Sequence, residues 1–257
     1  MHDIGKIVYL DMQKTGSTRA SDFLNKCSTL TIRRFAKHQL LNVNYKNPGA
    51  FYFTTVRNPF DLYVSSFRFG CDGPDSIRLW MQHKGVEGLE EMYQPTNEKF
   101  NDWLVFILDP ANAKKIGDGF EIAARHGIGL MSYRHVINSI RHPSERLIRH
   151  IHSVADFEQL YRDESQMDLV IRNEELDEEL RKLATERLPQ YFDAELVRIY
   201  FERRGNLNVT RTGKASDFQF TEETRNLVRE REDFLIRHFY PVLATPIPQA
   251  ASSGERG

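Results

Sequence analysis

Residues 7–18 read IVYLDMQKTGST, and this stretch decides the fold. Its first part, Ile7–Leu10, is short and rich in β-forming side chains, which is typical of a buried strand. The polar turn Gln13–Thr18 follows, centred on Gly16, and Ala20–Cys27 then has the pattern of a helix. A strand, a turn and a helix in this order indicate the first unit of an α/β fold.

Other strand and helix patterns alternate along the chain. The segment Phe51–Val56, FYFTTV, is aromatic and β-branched throughout, and the Asn-Pro pair after it favours a helix over about 60–69. The remaining strand patterns are Leu30–Phe35 and Asp168–Ile171, and helical patterns mark Asn97–Leu108, Leu176–Leu188 and, after an N-cap at Thr221, Glu222–Phe239. Strands separated by helices predict a mostly parallel central sheet with helices on both faces.

The composition excludes several classes of protein. The chain has 257 residues, 40% of them hydrophobic, and a formal net charge of −1, so we expect a folded domain and no general binding of nucleic acid. Two cysteines cannot build a disulfide framework or a cysteine-rich metal site, and they fit a reducing compartment. The sequence shows neither a signal peptide nor a membrane span, and we therefore expect a cytoplasmic protein.

The chain is expected to form one domain over residues 1–243. Within it, residues from about 73 to 165 have the patterns of helices and loops, which predicts a helical insertion. Residues 244–257 are small and bear Pro and Ser, so a disordered tail is expected there.

The first turn has the features of a phosphate-binding loop. Successive backbone N–H groups of such a turn and the positive end of the helix dipole favour an anion. Lys14 adds a full positive charge, and Ser17 and Thr18 add hydroxyl donors. The segment is not a Walker A motif, because the lysine precedes the glycine. An ordinary turn with a solvent-facing lysine is the alternative on this segment alone.

A second motif favours the phosphate interpretation. Arg57 stands at the end of the FYFTTV strand, and Ser65 lies eight residues later on the next helix. An arginine there can make paired hydrogen bonds to a phosphate, and the serine can add another. Both motifs would open at the carboxyl edge of one sheet, where open α/β folds bind their ligands.

At this point the sequence resembles a family. KTGST resembles the 5′-phosphosulfate loop of sulfotransferases that use 3′-phosphoadenosine 5′-phosphosulfate (PAPS), and RNPFDLYVSSF resembles their 3′-phosphate motif. DLVIRNEELDEEL, residues 168–180, is similar to a segment of the carbohydrate sulfotransferase branch, and residues 208–241 are similar to the C-terminal segment of bacterial members. Many relatives have proline where this chain has Gln13. The stretch from about 73 to 165 resembles nothing in the family.

The resemblance implies a P-loop NTPase-like three-layer fold and assigns the ligand residues. The residues that would hold the 5′-phosphosulfate are Lys14, Thr15, Gly16, Ser17 and Thr18. Arg57 and Ser65 would hold the 3′-phosphate, and a late basic loop with Arg211 and Lys214 would close over it. The product would be adenosine 3′,5′-bisphosphate (PAP), and the transfer needs no metal. The acceptor would be a hydroxyl compound bound by the helical insertion, with a sugar hydroxyl favoured.

His38 is the candidate catalytic base, and Lys14 is the candidate stabiliser of the leaving group. His38 follows the second strand pattern, near the expected sheet edge, and relatives often carry a Lys-His pair there. Neutral imidazole can accept a hydroxyl proton near pH 7. Glu174 is a reserve candidate for the base. The Arg- and His-rich stretch 134–152 is interpreted as a basic helical face, without a metal-binding pattern.

Two other functions compete with sulfuryl transfer. A P-loop kinase would share the strand, loop and helix, but it needs Mg²⁺ and an aspartate at a strand end, and Arg57 ends the FYFTTV strand instead. A non-catalytic nucleotide-binding module would keep the same phosphate contacts. The acceptor itself and the oligomeric state are not indicated by the sequence.

Overall fold

The computed structural model describes residues 1–41, 45, 47–73, 75–117, 119–140, 151–202 and 218–244. Its strands are β1 (His2–Asp3), β2 (Ile7–Leu10), β3 (Arg34–Phe35), β4 (Phe51–Val56) and β5 (Leu169–Arg172). The helices are α1 (Ser17–Cys27), α2 (Pro59–Asp72), α3 (Ser76–His83), α4 (Leu89–Met92), α5 (Asn97–Leu108), α6 (Ala113–Ile116), α7 (Glu121–Ala124), α8 (Leu130–Ser139), α9 (Val154–Glu164), α10 (Leu176–Lys182), α11 (Ala194–Glu202), α12 (Glu222–Arg231) and α13 (Asp233–Phe239). The fold is therefore α/β, as the sequence predicts.

The five strands form one mixed sheet in the order β3-β1-β2-β4-β5. Strands β2, β4 and β5 are parallel, with Tyr9 beside Phe53 and Thr54 beside Val170. Strand β1 is antiparallel to both β2 and β3. The expectation of a mostly parallel sheet holds only for the three strands that helices connect. Three residues separate β1 from β2, which is enough for a hairpin but far too short for a parallel crossover.

The strand expected over Leu30–Phe35 is wrong in most of its length. Only Arg34 and Phe35 pair with β1, and both side chains are exposed at the edge of the sheet. Leu30 is half-buried and residues 31–35 are exposed, so the segment has no buried face to stabilise a longer strand. Because β3 and β2 are both antiparallel to β1, they run in the same direction and their carboxyl ends lie at the same edge.

Helices pack on both faces of the sheet. On one face Ile7, Tyr9 and Phe53 share a buried cluster with residues of α1, α10 and α11, namely Phe23, Leu24, Leu180 and Val197. On the other face Val56 belongs to a larger cluster with residues of α2, α5 and α8, namely Leu62, Phe67, Trp103, Ile107 and Val136. Alternate strand residues point to opposite faces, and these two clusters use that alternation. The arrangement is compatible with a three-layer fold.

The region from about 73 to 165, which was expected to consist of helices and loops, does so in its described residues. Among its described residues (73, 75–117, 119–140 and 151–165) it contains α3 to α9 and no strand, only an isolated bridge between Ile140 and Ser165. Trp103 and Phe100 are fully buried and belong to the same core as α2. No helix in the described ranges is both long enough and apolar enough to cross a lipid bilayer.

Several predicted helix boundaries are confirmed, and one helix is split. Helix α5 has the predicted bounds, and the Thr221 hydroxyl caps α12 by accepting a hydrogen bond from the Thr224 N–H at 3.2 Å. The expected helix Glu222–Phe239 is interrupted at Glu232, whose buried carboxylate accepts hydrogen bonds from the N–H groups of Met131 and Ser132 at 3.1 and 2.8 Å. Helical hydrogen bonds from Glu232 N to Val228 O and from Ile236 N to Glu232 O still span this single turn residue. The helix expected over Leu176–Leu188 likewise changes after Lys182 to a π-helical turn, Leu183–Arg187.

Candidate functional site

The first loop leaves the amino end of α1 open. Gly16 is the N-cap, with φ 91°, and among the described residues no side chain caps the first N–H groups of the helix. A Cβ atom at Gly16 would lie 2.5 Å from Asn173 Oδ1 and 2.6 Å from Leu176 Cδ2. The left-handed turn and the close approach of α10 therefore both require glycine. The first turn of α1 carries no acidic residue, so its positive dipole end is not neutralised from within.

Thr15 holds this loop to the sheet. Its hydroxyl lies 2.9 Å from the Met12 carbonyl oxygen and 2.7 Å from Thr55 Oγ1. Thr55 in turn lies 2.8 Å from the Tyr9 hydroxyl, so a buried hydrogen-bond chain joins the loop to β4 and β2. The Thr15 hydroxyl is thus engaged inside the protein. Ser17, also buried, begins α1, and Thr18 is exposed beside it.

Lys14 is held in an unusual conformation with its charge close to an aromatic ring. Its φ of 63° lies in the left-handed region, which is uncommon for a residue other than glycine. Its Nζ atom lies 3.7 Å from the centroid of the Phe69 ring on α2. Burial lowers the pKa of Lys14; Asp75 and Asp72 oppose this, and the Arg57 charge adds to it. Strain of this kind is maintained only where the surrounding structure enforces it, and it is common at ligand sites.

Arg57 brings the second motif to the first. Its Nη1 atom donates a hydrogen bond to the Lys14 carbonyl oxygen at 3.3 Å. Its Nε atom is buried and has no hydrogen-bond partner among the described residues. The Nε atoms of Arg229 and Arg231 are likewise buried without a hydrogen-bond partner among the described residues, so the feature is not unique to Arg57; at this position a bound anion would satisfy it.

Ser65 lies on the side of α2 that faces the loop. It is half-buried and precedes Phe69 by four residues, so both side chains are on the same face of the helix. Since the Phe69 ring contacts Lys14, this face is directed towards the phosphate loop. Arg211 and Lys214, expected to close over the site, lie outside the described residues.

His38 lies at the same edge of the sheet and is bound to the start of the loop. Its Nδ1 atom lies 3.1 Å from Asp11 Oδ2, and its backbone N–H donates to the same oxygen at 2.9 Å. Asp11 is the first residue after β2 and is 4% exposed. Burial would raise the pKa of Asp11, but hydrogen bonds from His38 and the Met1 amino group, and the charge of that group, bring it below its usual value. The His38 side chain is 36% exposed, so it remains accessible from outside.

Glu174, the reserve candidate for the base, has a structural role. One carboxylate oxygen accepts a hydrogen bond from the Asn58 N–H at 2.9 Å, and the other accepts one from the Tyr240 hydroxyl at 2.8 Å. These bonds tie the end of β5 to the start of α2 and to the chain after α13. Both oxygens are occupied, and Glu174 is therefore a less suitable proton acceptor than His38.

In the stretch 134–152, which was expected to form a basic helical face, His135 does not contribute to a surface. His135 of α8 is fully buried beside Phe239 and Tyr161, and burial lowers its pKa to about 3. Residues 141–150 lie outside the described residues, and His152 is exposed. Nine of the ten residues of α8 are buried, and Arg134 is the exception. The basic residue types of the stretch suggested a charged surface, but this helix lies inside the core.

Sequence reasoning missed three contributors to the site. Asp11 holds His38, Phe69 contacts Lys14, and Gln13 accepts a hydrogen bond from the Ser76 hydroxyl at 2.6 Å. The position of Asp11 directly after β2 was a usable signal, because polar residues at the carboxyl end of a strand converge at a ligand edge. Gln13 and Phe69 carried no such signal, since both contacts depend on how α2 and α3 pack over the loop.

Taken together, the site offers cations, free backbone donors and a proton acceptor at one edge of the sheet. Lys14, Arg57 and the amino end of α1 are suited to a ligand with two anionic groups, and His38 is suited to removing a proton beside it. No protein-family model, curated protein or solved structure matches this chain.

Proposed function

We propose that the protein is a PAPS-dependent sulfotransferase with a P-loop NTPase-like fold, transferring a sulfuryl group to a hydroxyl of an acceptor. The observation that carries the proposal is the hydrogen bond from Arg57 Nη1 to the Lys14 carbonyl at 3.3 Å. It joins the two segments that resemble the 5′- and 3′-phosphate motifs. A nucleotide with phosphates at both ends of its ribose needs two such cationic positions on one surface.

The phosphate contacts divide between the two connections. The amino end of α1 with Lys14, Ser17 and Thr18 holds the 5′-phosphosulfate by backbone donors, hydroxyls and charge. Arg57 and Ser65 hold the 3′-phosphate, and the unpaired Nε of Arg57 supplies a donor for it. Arg211 and Lys214 belong to the same proposal as the late loop over that phosphate.

The chemistry requires one proton transfer and one exchange of bonds at sulfur. The acceptor oxygen forms the new bond to sulfur while the bond from sulfur to the 5′-phosphate oxygen breaks. Lys14 stabilises the charge that develops on that leaving oxygen, by analogy with phosphoryl transfer. The Nε2 atom of His38 accepts the hydroxyl proton, and PAP is the product. No metal ion takes part in this scheme.

We propose that the acceptor is a sugar and that the reaction takes place in the cytoplasm. The support is the similarity of residues 168–180 to the carbohydrate sulfotransferase branch. The region from α3 to α9 packs beside the loop, with Ser76 of α3 bonded to Gln13, and is the part of the chain proposed to bind the acceptor.

Ligand-induced stabilisation tests the nucleotide assignment. We expect PAP to raise the melting temperature by several degrees, because a ligand at 100 times its Kd contributes about 2.7 kcal/mol. ATP with Mg²⁺ should have little effect. The Asp11 carboxylate, at the end of β2, is already bound by His38, so it is poorly placed to hold Mg²⁺.

The alternatives give different results in the same experiment. Stabilisation by ATP with Mg²⁺ alone would indicate a P-loop kinase and would overturn the proposal. Stabilisation by PAP without transfer of radiolabelled sulfate from PAPS to a panel of saccharides and phenols would indicate a binding module. The variant Arg57→Ala serves as the control for site specificity, since it should lose the response to PAP.

A further inference from the structure

We infer that Asp11 is a positioning residue that fixes the tautomer of His38 and leaves its Nε2 atom free to accept a proton. One carboxylate oxygen of Asp11 contacts both the backbone and the ring of His38. Asp11 Oδ2 lies 2.9 Å from the His38 backbone nitrogen and 3.1 Å from the ring nitrogen Nδ1. The catalytic meaning of this contact rests on the proposed function, but the tautomer itself does not.

The surroundings of Nδ1 determine which ring nitrogen carries the proton. Besides the carboxylate oxygen at 3.1 Å, the backbone carbonyl oxygen of Asp11 lies 3.4 Å from Nδ1. Neither oxygen can donate a hydrogen bond when Asp11 is ionised. Nδ1 must therefore be the donor, and in the neutral imidazole Nε2 then bears the lone pair.

Asp11 is built to hold this geometry rigidly. Its side chain is 4% exposed, and its other oxygen contacts the Met1 amino group. The net effect of its hydrogen bonds is to keep the carboxyl pKa below the ordinary value, so the acceptor remains charged. His38 adopts a left-handed φ of 56°, a conformation that costs free energy in a residue with a side chain. The double contact with Asp11 compensates for that cost.

The same residue connects the base to the nucleotide loop. Asp11 begins the segment that leads to Lys14 three residues later, and this segment is anchored by Thr15. His38 is therefore positioned relative to the phosphate loop and not merely relative to its own edge strand. A shift of the loop on nucleotide binding would move the base with it.

Nuclear magnetic resonance of the histidine ring nitrogens tests the inference in the full chain. In protein labelled with ¹⁵N-histidine, the signals of His38 are assigned by their absence in His38→Gln. When the imidazole is neutral, we expect His38 to be protonated on Nδ1 in the wild type. In Asp11→Ala this preference should weaken, because only the backbone carbonyl at 3.4 Å is left as an acceptor for Nδ1, and kcat should fall by roughly 10²–10⁴-fold, the range for loss of general-base catalysis. The KM for PAPS should change by less than about threefold, because Asp11 is buried and its two oxygens are bonded to His38 and Met1.

Two further variants keep the test decisive. Asp11→Asn retains an oxygen for the two His38 donors and guards against misfolding, so it should keep more of the Nδ1 proton and more activity than Asp11→Ala. Asp3→Ala is the matched control, because Asp3 is also a buried carboxylate, 5% exposed, that accepts hydrogen bonds from Gly5 and Tyr45 and has no bond to His38. It should leave the His38 tautomer unchanged.

The outcomes separate this inference from the proposed function. A wild-type His38 protonated on Nε2, or a tautomer unaffected in Asp11→Ala, would overturn the inference whether or not the protein transfers sulfate. The expected tautomers without any sulfuryl transfer would support the role of Asp11 and count against the proposed function alone.

Discussion

The two strand-to-helix connections of the site differ in whether a side chain caps the helix that follows the strand. After β2, the N-cap of α1 is Gly16, which has no side chain, and no described side chain caps the helix. After β4, the side chain of Asn58 caps α2 by accepting a hydrogen bond from the Phe60 N–H at 3.0 Å. Pro59 removes one N–H group, and Asp61 places an acidic side chain in the first turn.

The difference indicates which connection receives an anion through its backbone. The first helix end has no side-chain cap and a favourable dipole, whereas at the second Asn58 caps the Phe60 N–H and Pro59 has no N–H to offer. At the second connection the side chains of Arg57 and Ser65 are the groups proposed for a ligand. We therefore expect backbone recognition of phosphosulfate at the first site and side-chain recognition of phosphate at the second.

The largest effect should come from Lys14→Ala at the first connection. Loss of one preorganised charge at the leaving oxygen should lower kcat by about 10²-fold or more. Lys26→Ala is the matched control, because Lys26 lies on α1 but is exposed and paired with Asp22. Steady-state transfer from PAPS measures both. A folded Lys14→Ala protein with nearly normal kcat would remove Lys14 from the chemistry.

The pH dependence of PAP binding tests whether the charge of Lys14 contributes to affinity. Burial lowers its pKa from 10.5, so its charge is complete at lower pH and is lost as the pH rises through the lowered value. Affinity for PAP should therefore begin to decline below the usual lysine range, and this decline should be missing in Lys14→Ala. Calorimetric titrations across that range measure the difference.

Arg57→Ala should have a smaller effect that falls on binding. Truncation of a charge-assisted contact of this kind costs about 2 kcal/mol, which is about 30-fold in the Kd for PAP. The kcat at saturating PAPS should change much less, since the 3′-phosphate is remote from the sulfur. Arg198→Ala is the control, because Arg198 is an exposed arginine paired with Glu195 and Glu202. An unchanged Kd in Arg57→Ala would mean that the 3′-phosphate binds elsewhere. The proposed difference between the two connections, backbone recognition at the first and side-chain recognition at the second, would then be wrong.

The two connections also show what a sequence can predict. Strong local patterns predicted β2, β4 and α5 well, because each is a run of residues with one clear preference. The expected meeting of Lys14 and Arg57 agrees with their contact, since parallel strands bring their carboxyl ends to one edge.

Features that depend on tertiary packing were beyond the sequence. The continuous helical pattern is divided into α12 and α13 at Glu232, whose carboxylate bonds to the start of α8, and no local pattern encodes that contact. His135 resembled a surface cation because of its basic neighbours in the sequence, but α8 is buried at nine of its ten positions. The contact between Phe69 and Lys14 arises from the packing of α2 against the loop, and no local pattern encodes it.

Replacement of Gly16 should disturb the first connection moderately. A left-handed conformation costs about 1–2 kcal/mol for a residue with a Cβ atom. Gly49→Ala is a matched control with φ 76° but nothing within 4 Å of the added atom, whereas Gly16→Ala also meets Asn173 and Leu176. Urea unfolding should show Gly16→Ala to be the less stable variant, and only Gly16→Ala should weaken PAP binding. Equal behaviour of the two variants would mean that the contact with α10 does not shape the loop.

The smallest effect should come from Asn58→Ala, which removes the cap of the second connection. Loss of an N-cap side chain typically costs about 1 kcal/mol, which lowers the melting temperature by about 2–4 °C in a protein of this size. Ser153→Ala is the matched control, because the Ser153 hydroxyl caps α9 in the same way, accepting from the Asp156 N–H at 3.1 Å. Both variants should lose similar stability.

The affinity for PAP should hardly change in Asn58→Ala. If the ligand contacts Arg57 and Ser65 at this connection, the capping side chain contributes less than about 0.4 kcal/mol to binding, and the Kd changes by less than about twofold. The backbone N–H of Asn58 keeps its bond to Glu174, so the start of α2 stays in place. A loss of affinity as large as that of Arg57→Ala would show instead that the amino end of α2 itself contacts the phosphate, and the two connections would then bind anions in the same way.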